Sequence, residues 1–220
     1  MVMFMSVLAW LGTMLESYLL GGIDTGIIVS KKVYQDDVRS HGSGAAGMTN
    51  MLRTFGKRAA AVTAAGDVLK GFCAVLLGVW LFRKTGQVTL YGAYLASLFA
   101  LLGHWHPLYF GFRGGKGVLV TAGAILAIHP LFIPVMAVIF LLCFVPTRMV
   151  SLGSIMMAAA YPVMTLLYGL LCERLPLPEL AFSTACALIV GGLILYMHRA
   201  NIQRIRAGTE YRFDGKHKKQ

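Results

Sequence analysis

The sequence predicts an all-α polytopic membrane protein of about seven transmembrane helices, some of them short, with the N-terminus outside and the C-terminus inside. Three observations carry that prediction. Hydrophobic residues make up 57% of the 220 positions and charged residues 13%, about half the globular share, and the mean hydropathy is +0.70. The apolar residues run in long blocks, not in narrow amphipathic stripes. The net charge of +11 gathers at the ends of those blocks. Basic and aromatic residues are not interleaved on a polar surface as single-strand binding requires, so nucleic acid is excluded as a partner.

Taken in order, MVMFMSVLAWLGTMLES has neither a basic leader region nor a small-residue cleavage site, and reads as a retained first helix. About 20 apolar residues cross a hydrocarbon core of about 30 Å. Segments 2–30, 59–82 and 151–172 meet that length, and 180–197 is slightly shorter. Segments 89–102, 117–129 and 131–145 are short, the last two divided by His129-Pro130, where proline disfavours helix in its predecessor. At 1.5 Å per residue, 117–129 covers roughly 20 Å, so it starts below the membrane surface or the bilayer thins around it. Five helices is the alternative if the short segments are re-entrant.

With the N-terminus outside, sixteen of the twenty Lys and Arg fall on the cytoplasmic side. Arg83, Lys84 and Arg174 fall opposite, and Lys70 lies within a helix. Residues 1–197 then form the bundle with its loops 41–54, 103–117 and 146–154 on the cytoplasmic face, and 198–220 a basic cytoplasmic C-terminal segment. The four cysteines form no CxxC and read as packing residues.

The polar loops therefore share one face, and each has a plain reading beside a functional one. HGSGAAGMTNMLRT contains G-x-G-x-x-G at Gly42, Gly44 and Gly47. A dinucleotide site needs a strand before it and a helix after, and Asp67, at the ribose-binding distance, lies in an apolar helix, so that reading fails. What survives is a loop whose glycines permit positive φ and bare N–H groups facing an anion. Ser43, Thr49 and Asn50 add polar side chains and Arg53 a planar charge. The plain reading is a flexible interfacial loop.

In GHWHPLYFGFRGGKGVLVTAG, Gly114, Gly115 and Gly117 surround Lys116 just before a helix, an arrangement that binds anions. Phe110 stands where a Walker loop needs glycine and Gly117 where it needs Ser or Thr, which excludes ATP hydrolysis. The plain reading is a basic turn obeying topology. His104 and His106 have no acid or cysteine beside them in sequence and read as structural or hydrogen-bonding residues. Asp67 and Lys70 share one helix face, as an i,i+3 ion pair or as support for a polar site from behind. Ser151 and Ser154 begin an apolar helix as N-cap or site residues. His198 and Asn201 share a face just below the membrane, His198 being suited to proton chemistry, while Arg199, Arg204 and Arg206 suit anionic lipid. There is no H-x4-D, no G-x-S-x-G and no acid cluster for Mg²⁺. No metal and no cofactor are expected.

Together HGSGAAGMTNMLRTFG, DVLKG, GHWHPLYFGFRGGKGVLVTAG, SLGS and HRANIQRIRAGTE, in this order over nearly the whole chain, closely resemble the bacterial acyl-phosphate:glycerol-3-phosphate acyltransferases. Ala45 stands where that family has asparagine, Met48 where it has alanine, and GGIDTG (21–26) where it has an apolar Ile-Pro. The resemblance implies acyl transfer from acyl phosphate to the 1-hydroxyl of sn-glycerol 3-phosphate. Its products are lysophosphatidic acid and inorganic phosphate, the first step of phospholipid synthesis, without acyl-CoA or acyl carrier protein.

It also implies that Ser43, Arg53 and Lys116 hold glycerol 3-phosphate, assisted by Ser151, His198 and Asn201. The backbone of Gly114, Gly115, Lys116 and Gly117 would hold the acyl phosphate or the oxyanion formed during attack. Gly44, Thr49, Asn50 and His104 complete the binding set, and His198, Lys116 and Asn201 are the catalytic group. The partners implied are these two substrates and membrane lipids, in a multi-pass protein of the cytoplasmic (inner) membrane with its site facing the cytoplasm. The alternative is a secondary transporter for an organic phosphate, which an internal repeat and midplane helix breaks would support. The sequence has no repeat, and its polar motifs gather at one face.

Overall fold

The computed structural model describes residues 2–213, so Lys216, Lys218 and Lys219 of the expected basic tail lie outside the described residues. Two helices, α1 (Val2–Gly21) and α2 (Thr25–Val33), replace the single first segment expected over 2–30. The break has a local cause. Asp24 is extended (φ −85°, ψ 102°), and its carboxylate accepts the Ile27 N–H at 3.1 Å, which starts a new helix.

A 3-10 turn at Val38–Ser40 leads through the first glycine loop to α3 (Met48–Phe55), and Gly56 at φ 85° turns the chain into α4 (Lys57–Lys84). Then come α5 (Thr89–Trp105), three residues longer than expected, α6 (Val118–Ile128), α7 (Phe132–Thr147), α8 (Val150–Leu171), α9 (Leu177–Met197) and the short α10 (Arg199–Arg206). Four stretches are long and apolar enough to cross a membrane: Met3–Val33, Lys57–Lys84, Val150–Leu171 and Leu177–Met197. The shorter apolar helices α6 and α7, together with α5, occupy the other three segments that the hydropathy pattern marks.

Helix α4 is the spine, packed against α1, α5 and α6, while α7 packs on α8, α8 on α9 and α9 on α5. The α4–α6 contact is backbone to backbone. A Cβ on Gly71 would overlap the Val120 carbonyl, and one on Gly123 the Val68 carbonyl. In lipid such close packing, more than exclusion of water, holds helices together. The α6–α7 turn is pinned by His129, whose Nε2 lies 3.1 Å from the Tyr94 hydroxyl and whose ring stacks on Phe132 at 4.8 Å. Tyr94, Ile125, Met136, Tyr161 and Val190 make the main core beneath this turn, and exposed leucines such as Leu69, Leu142 and Leu170 clothe the outside.

Candidate active site

The two glycine loops are built as one unit. Gly42 and Gly44 take positive φ (54° and 69°), as their residue type permits. Their neighbourhood is not the bare cradle expected. Ser43 N–H donates to Asn50 Oδ1 (3.2 Å), Gly44 N–H to the His41 carbonyl (3.0 Å) and Ala46 N–H to the Gly114 carbonyl (3.4 Å). The reason is general: a loop pressed against another must satisfy its own backbone. Asn50 performs much of that work, its Nδ2 directed at the carbonyls of Val38, His41 and Ala45 at 3.0, 2.9 and 3.1 Å. Its amide shapes the loop and has little left for a ligand.

In the second loop, Gly114 N–H donates to the Trp105 carbonyl (3.1 Å) and Gly115 N–H to that of His104 (3.2 Å). Among the described residues, the N–H groups of Lys116 and Gly117 have no acceptor, so half of the expected donors remain. A Cβ on Gly115 would strike both His104 Nε2 and the Ala46 carbonyl. Arg39, expected only to set topology, ties the loops further. Its Nη1 donates to the carbonyls of Phe110 (2.7 Å) and Arg113 (2.8 Å), and its Nε and Nη2 to Asp37. Those bonds from Arg39 hold the Asp37 carboxyl well below the usual range.

A chain of hydrogen bonds crosses the mouth of the site. Lys116 Nζ donates to Asn201 Oδ1 (2.5 Å), and Asn201 Nδ2 donates to Glu210 Oε1 (2.7 Å). Ser151 Oγ donates to the same Oε1 (2.7 Å), and Arg204 Nε to Oε2 (2.7 Å). Burial alone would raise the Glu210 pKa, but the bonds from Asn201, Ser151 and Arg204 lower it. Burial brings Lys116 down to about 8. It also brings His198 down to about 4, helped by the Lys116 charge. His198 Nδ1–H donates to the Ile194 carbonyl (2.8 Å), which leaves Nε2 of the neutral ring as an acceptor. Ser151 is not an N-cap, since Met149 holds that place. Arg53 lies on α3 with its guanidinium 3.8 Å over the Tyr211 ring.

A second polar cluster lies deeper. Lys70 Nζ is 2.9 Å from Asp67 Oδ1, from the Ile23 carbonyl and from His104 Nδ1. The i,i+3 ion pair is therefore present, and it faces another residue of the site. His104 also has Asp24 Oδ2 at 3.6 Å and Asp67 Oδ1 at 3.9 Å. The fold brings to it the carboxylates that its sequence neighbours lack.

One cavity of about 500 Å³ joins these parts. Ser43, Thr49, Asn50, Arg53 and His104 border it, as do Lys116, Gly117, Ser151, His198 and Asn201. Gly44, Gly114 and Gly115 line an adjoining cleft of about 390 Å³, shared with Ser43, Lys116 and Asn201. Each residue expected from the resemblance to bind substrate or act in catalysis thus borders one of the two. Away from the polar mouth the larger cavity is apolar, walled by Ile125 of α6, Met136 and Phe140 of α7, Met157 of α8 and Ile194 of α9. Glu210 was missed because it lies in the extended segment after α10 and finds Ser151 across 59 residues. Asp24 had a signal, an acid before Thr-Gly inside an apolar block, of the kind that caps a helix.

A family model described as glycerol-3-phosphate acyltransferase matches residues 11–208. The glycerol-3-phosphate acyltransferase of Clostridioides difficile (strain 630) is 40% identical over 206 residues, 94% of this chain and 96% of that protein. That of Gloeobacter violaceus (strain ATCC 29082 / PCC 7421) is 38% identical over 204 residues, 91% and 93% of the two chains. Among solved structures, the glycerol 3-phosphate form of PlsY (YgiH), an integral membrane glycerol 3-phosphate acyltransferase, superposes with a TM-score of 0.78 at 31% identity, covering 93% of this chain and 95% of that one. Its lysophosphatidic acid form gives 0.77 at 30% identity over the same shares.

Proposed function

The chain belongs to the glycerol-3-phosphate acyltransferase family, and on that premise we propose that its acyl donor is an acyl phosphate and its products are lysophosphatidic acid and inorganic phosphate. The observation that carries the reading is the two-ended cavity. Its mouth gathers Ser43, Arg53, Lys116 and His198 for phosphate groups, and its interior offers Ile125, Met136, Phe140 and Met157 to an acyl chain. The transporter alternative has no comparable support.

In the proposed reaction the 1-hydroxyl oxygen of glycerol 3-phosphate attacks the acyl carbonyl carbon. The bond from that carbon to the phosphate oxygen breaks, and phosphate leaves with the electron pair and takes up the hydroxyl proton. An acyl phosphate is already activated, so no covalent enzyme intermediate is needed, and positioning of the two reactants supplies much of the rate. Lys116 gives one N–H to Asn201 and directs its remaining donors at phosphate. Arg53 and Ser43 complete the glycerol-phosphate site. The free N–H groups of Lys116 and Gly117 face the second phosphate or the developing oxyanion. Glu210, with Ser151 and Arg204 bonded to it, positions Asn201 and through it Lys116. His198, with its pKa near 4, is a weak base. Its Nε2 orients the attacking hydroxyl, and the leaving phosphate is the better proton acceptor. The site faces the cytoplasm of an N-out/C-in bundle in the cytoplasmic membrane, with α10 and Glu210 on the same side.

The test is phosphate release by purified protein in lipid, supplied with palmitoyl phosphate with and without glycerol 3-phosphate. Acceptor-dependent release with formation of lysophosphatidic acid is expected. Release independent of the acceptor, or turnover only with acyl-CoA, overturns the donor assignment. A His198→Gln variant that loses turnover but keeps its affinity for glycerol 3-phosphate would make His198 the base instead.

A further inference from the structure

Asp67, Lys70 and His104 are all buried, and no step described above uses Lys70 or Asp67. Ionised groups inside a membrane are costly and are retained where they serve a polar site. A lysine ammonium has three N–H donors and no acceptor. Here Nζ hydrogen-bonds the Ile23 carbonyl and His104 Nδ1, both at 2.9 Å, and pairs ionically with Asp67 Oδ1, so toward the ring it can only donate. His104 Nδ1 must then offer a lone pair, which in a neutral imidazole puts the proton on Nε2. The competing tautomer would direct Nδ1–H at Asp24 Oδ2 across 3.6 Å, too far for a hydrogen bond, and would set it against the Lys70 ammonium.

The other edge of the ring faces the second glycine loop. A Cβ on Gly115 would collide with His104 Nε2, and one on Gly117 would lie 3.7 Å from Cδ2. Nε2 has no hydrogen-bond partner among the described residues, and His104 borders the cavity. We propose that Lys70 is a positioning residue: through Nδ1 it holds His104 in the Nε2–H tautomer, so that the ring adds a neutral donor beside the free N–H groups of Lys116 and Gly117 for a phosphoryl oxygen of the acyl phosphate. This deepens the reading of the second loop as the acyl-phosphate site and rests on it. Asp67 holds the ammonium in place.

The experiment uses the full chain in lipid, isotopically labelled at the histidine ring nitrogens, with His104 assigned by its loss from the spectrum of a His104→Gln variant. The unaltered protein should show Nε2 protonated and Nδ1 unprotonated. An Asp67→Asn/Lys70→Met variant removes both charges together and strands neither. It should lose the tautomer bias and raise KM for palmitoyl phosphate about tenfold or more, with KM for glycerol 3-phosphate unchanged. His104→Gln keeps a donor near Nε2 but has nothing at Nδ1, so adding the paired change to it should cost no further affinity. An Nδ1-protonated ring in the unaltered protein, or an equal loss in the His104→Gln background, overturns the proposal. The spectrum of the unaltered protein decides the tautomer even if the paired variant fails to fold. Absence of any phosphate release from palmitoyl phosphate would overturn the donor assignment instead, and the tautomer would still be read.

Discussion

Two polar clusters flank the same cavity and are built in opposite ways. The inner one, Asp24, Asp67, Lys70 and His104, is set in the start of α2 and in helices α4 and α5. The outer one, Lys116, Ser151, Asn201 and Glu210, joins a loop, the first turn of α8, the short α10 and an extended tail. The inner cluster is fixed by helix packing and carries two carboxylate oxygens with no hydrogen-bond partner among the described residues, Asp24 Oδ2 and Asp67 Oδ1. In the outer cluster both carboxylate oxygens of Glu210 are bonded. Rigid helices can hold an unsatisfied carboxylate in place, whereas a tail stays docked only where its polar atoms are met.

That contrast can be broken most severely at Lys116. Lys116→Ala removes the charge on which the outer cluster converges, and turnover should fall by at least about a hundredfold while the melting temperature in lipid barely moves. Near-normal turnover would remove the second loop from the site. Next comes Glu210→Gln, whose amide keeps one acceptor oxygen and puts a donor in place of the other, so that either Asn201 and Ser151 or Arg204 lose their acceptor. A loss of about 1–3 kcal/mol in stability, together with a rise in KM for glycerol 3-phosphate, is the expected pair of effects; activity at the unaltered level would show the tail to be ornamental.

The pH dependence sharpens the comparison further. The proposed role of Lys116 requires its ammonium, and burial has lowered its pKa to about 8, so kcat/KM should decline as pH rises through about 8. In Lys116→Arg that alkaline limb should disappear, because guanidinium stays charged. A limb unmoved by that change would belong to another group. The smallest effect is expected at Asp24→Asn. Asparagine caps α2 equally well and removes a buried charge, so the melting temperature should rise by about 2–4 °C with turnover intact. A fall in melting temperature would mean that Asp24 supports His104 electrostatically.

The helices were legible because apolar blocks of spanning length admit few other structures in lipid, and the short α6 and α7 were legible from His129-Pro130. The break at Asp24 was not, since one acid in an apolar block looks like a departure until its carboxylate is seen to bond Ile27 N–H. Topology alone predicted that the glycine loops would share one face. It could not supply their internal bonding, in which Asn50 turns from ligand candidate to loop strut, because that depends on which carbonyls lie within reach of one amide. Glu210 and the Lys70–His104 contact were illegible for a different reason: their partners are 59 and 34 residues away, and no local pattern announces a contact of that range.

The junction between the glycine loops carries a kinetic corollary. Ala46 N–H bonds the Gly114 carbonyl, and Arg39 holds both Phe110 and Arg113, so neither loop can stiffen alone. A ligand that orders one reduces the conformational entropy the next must surrender. On the proposed assignment of one substrate to each loop, thermodynamic reciprocity would then have each substrate tighten the other's binding by the same factor, and the proposed acyl phosphate would be held hardest with its acceptor already beside it.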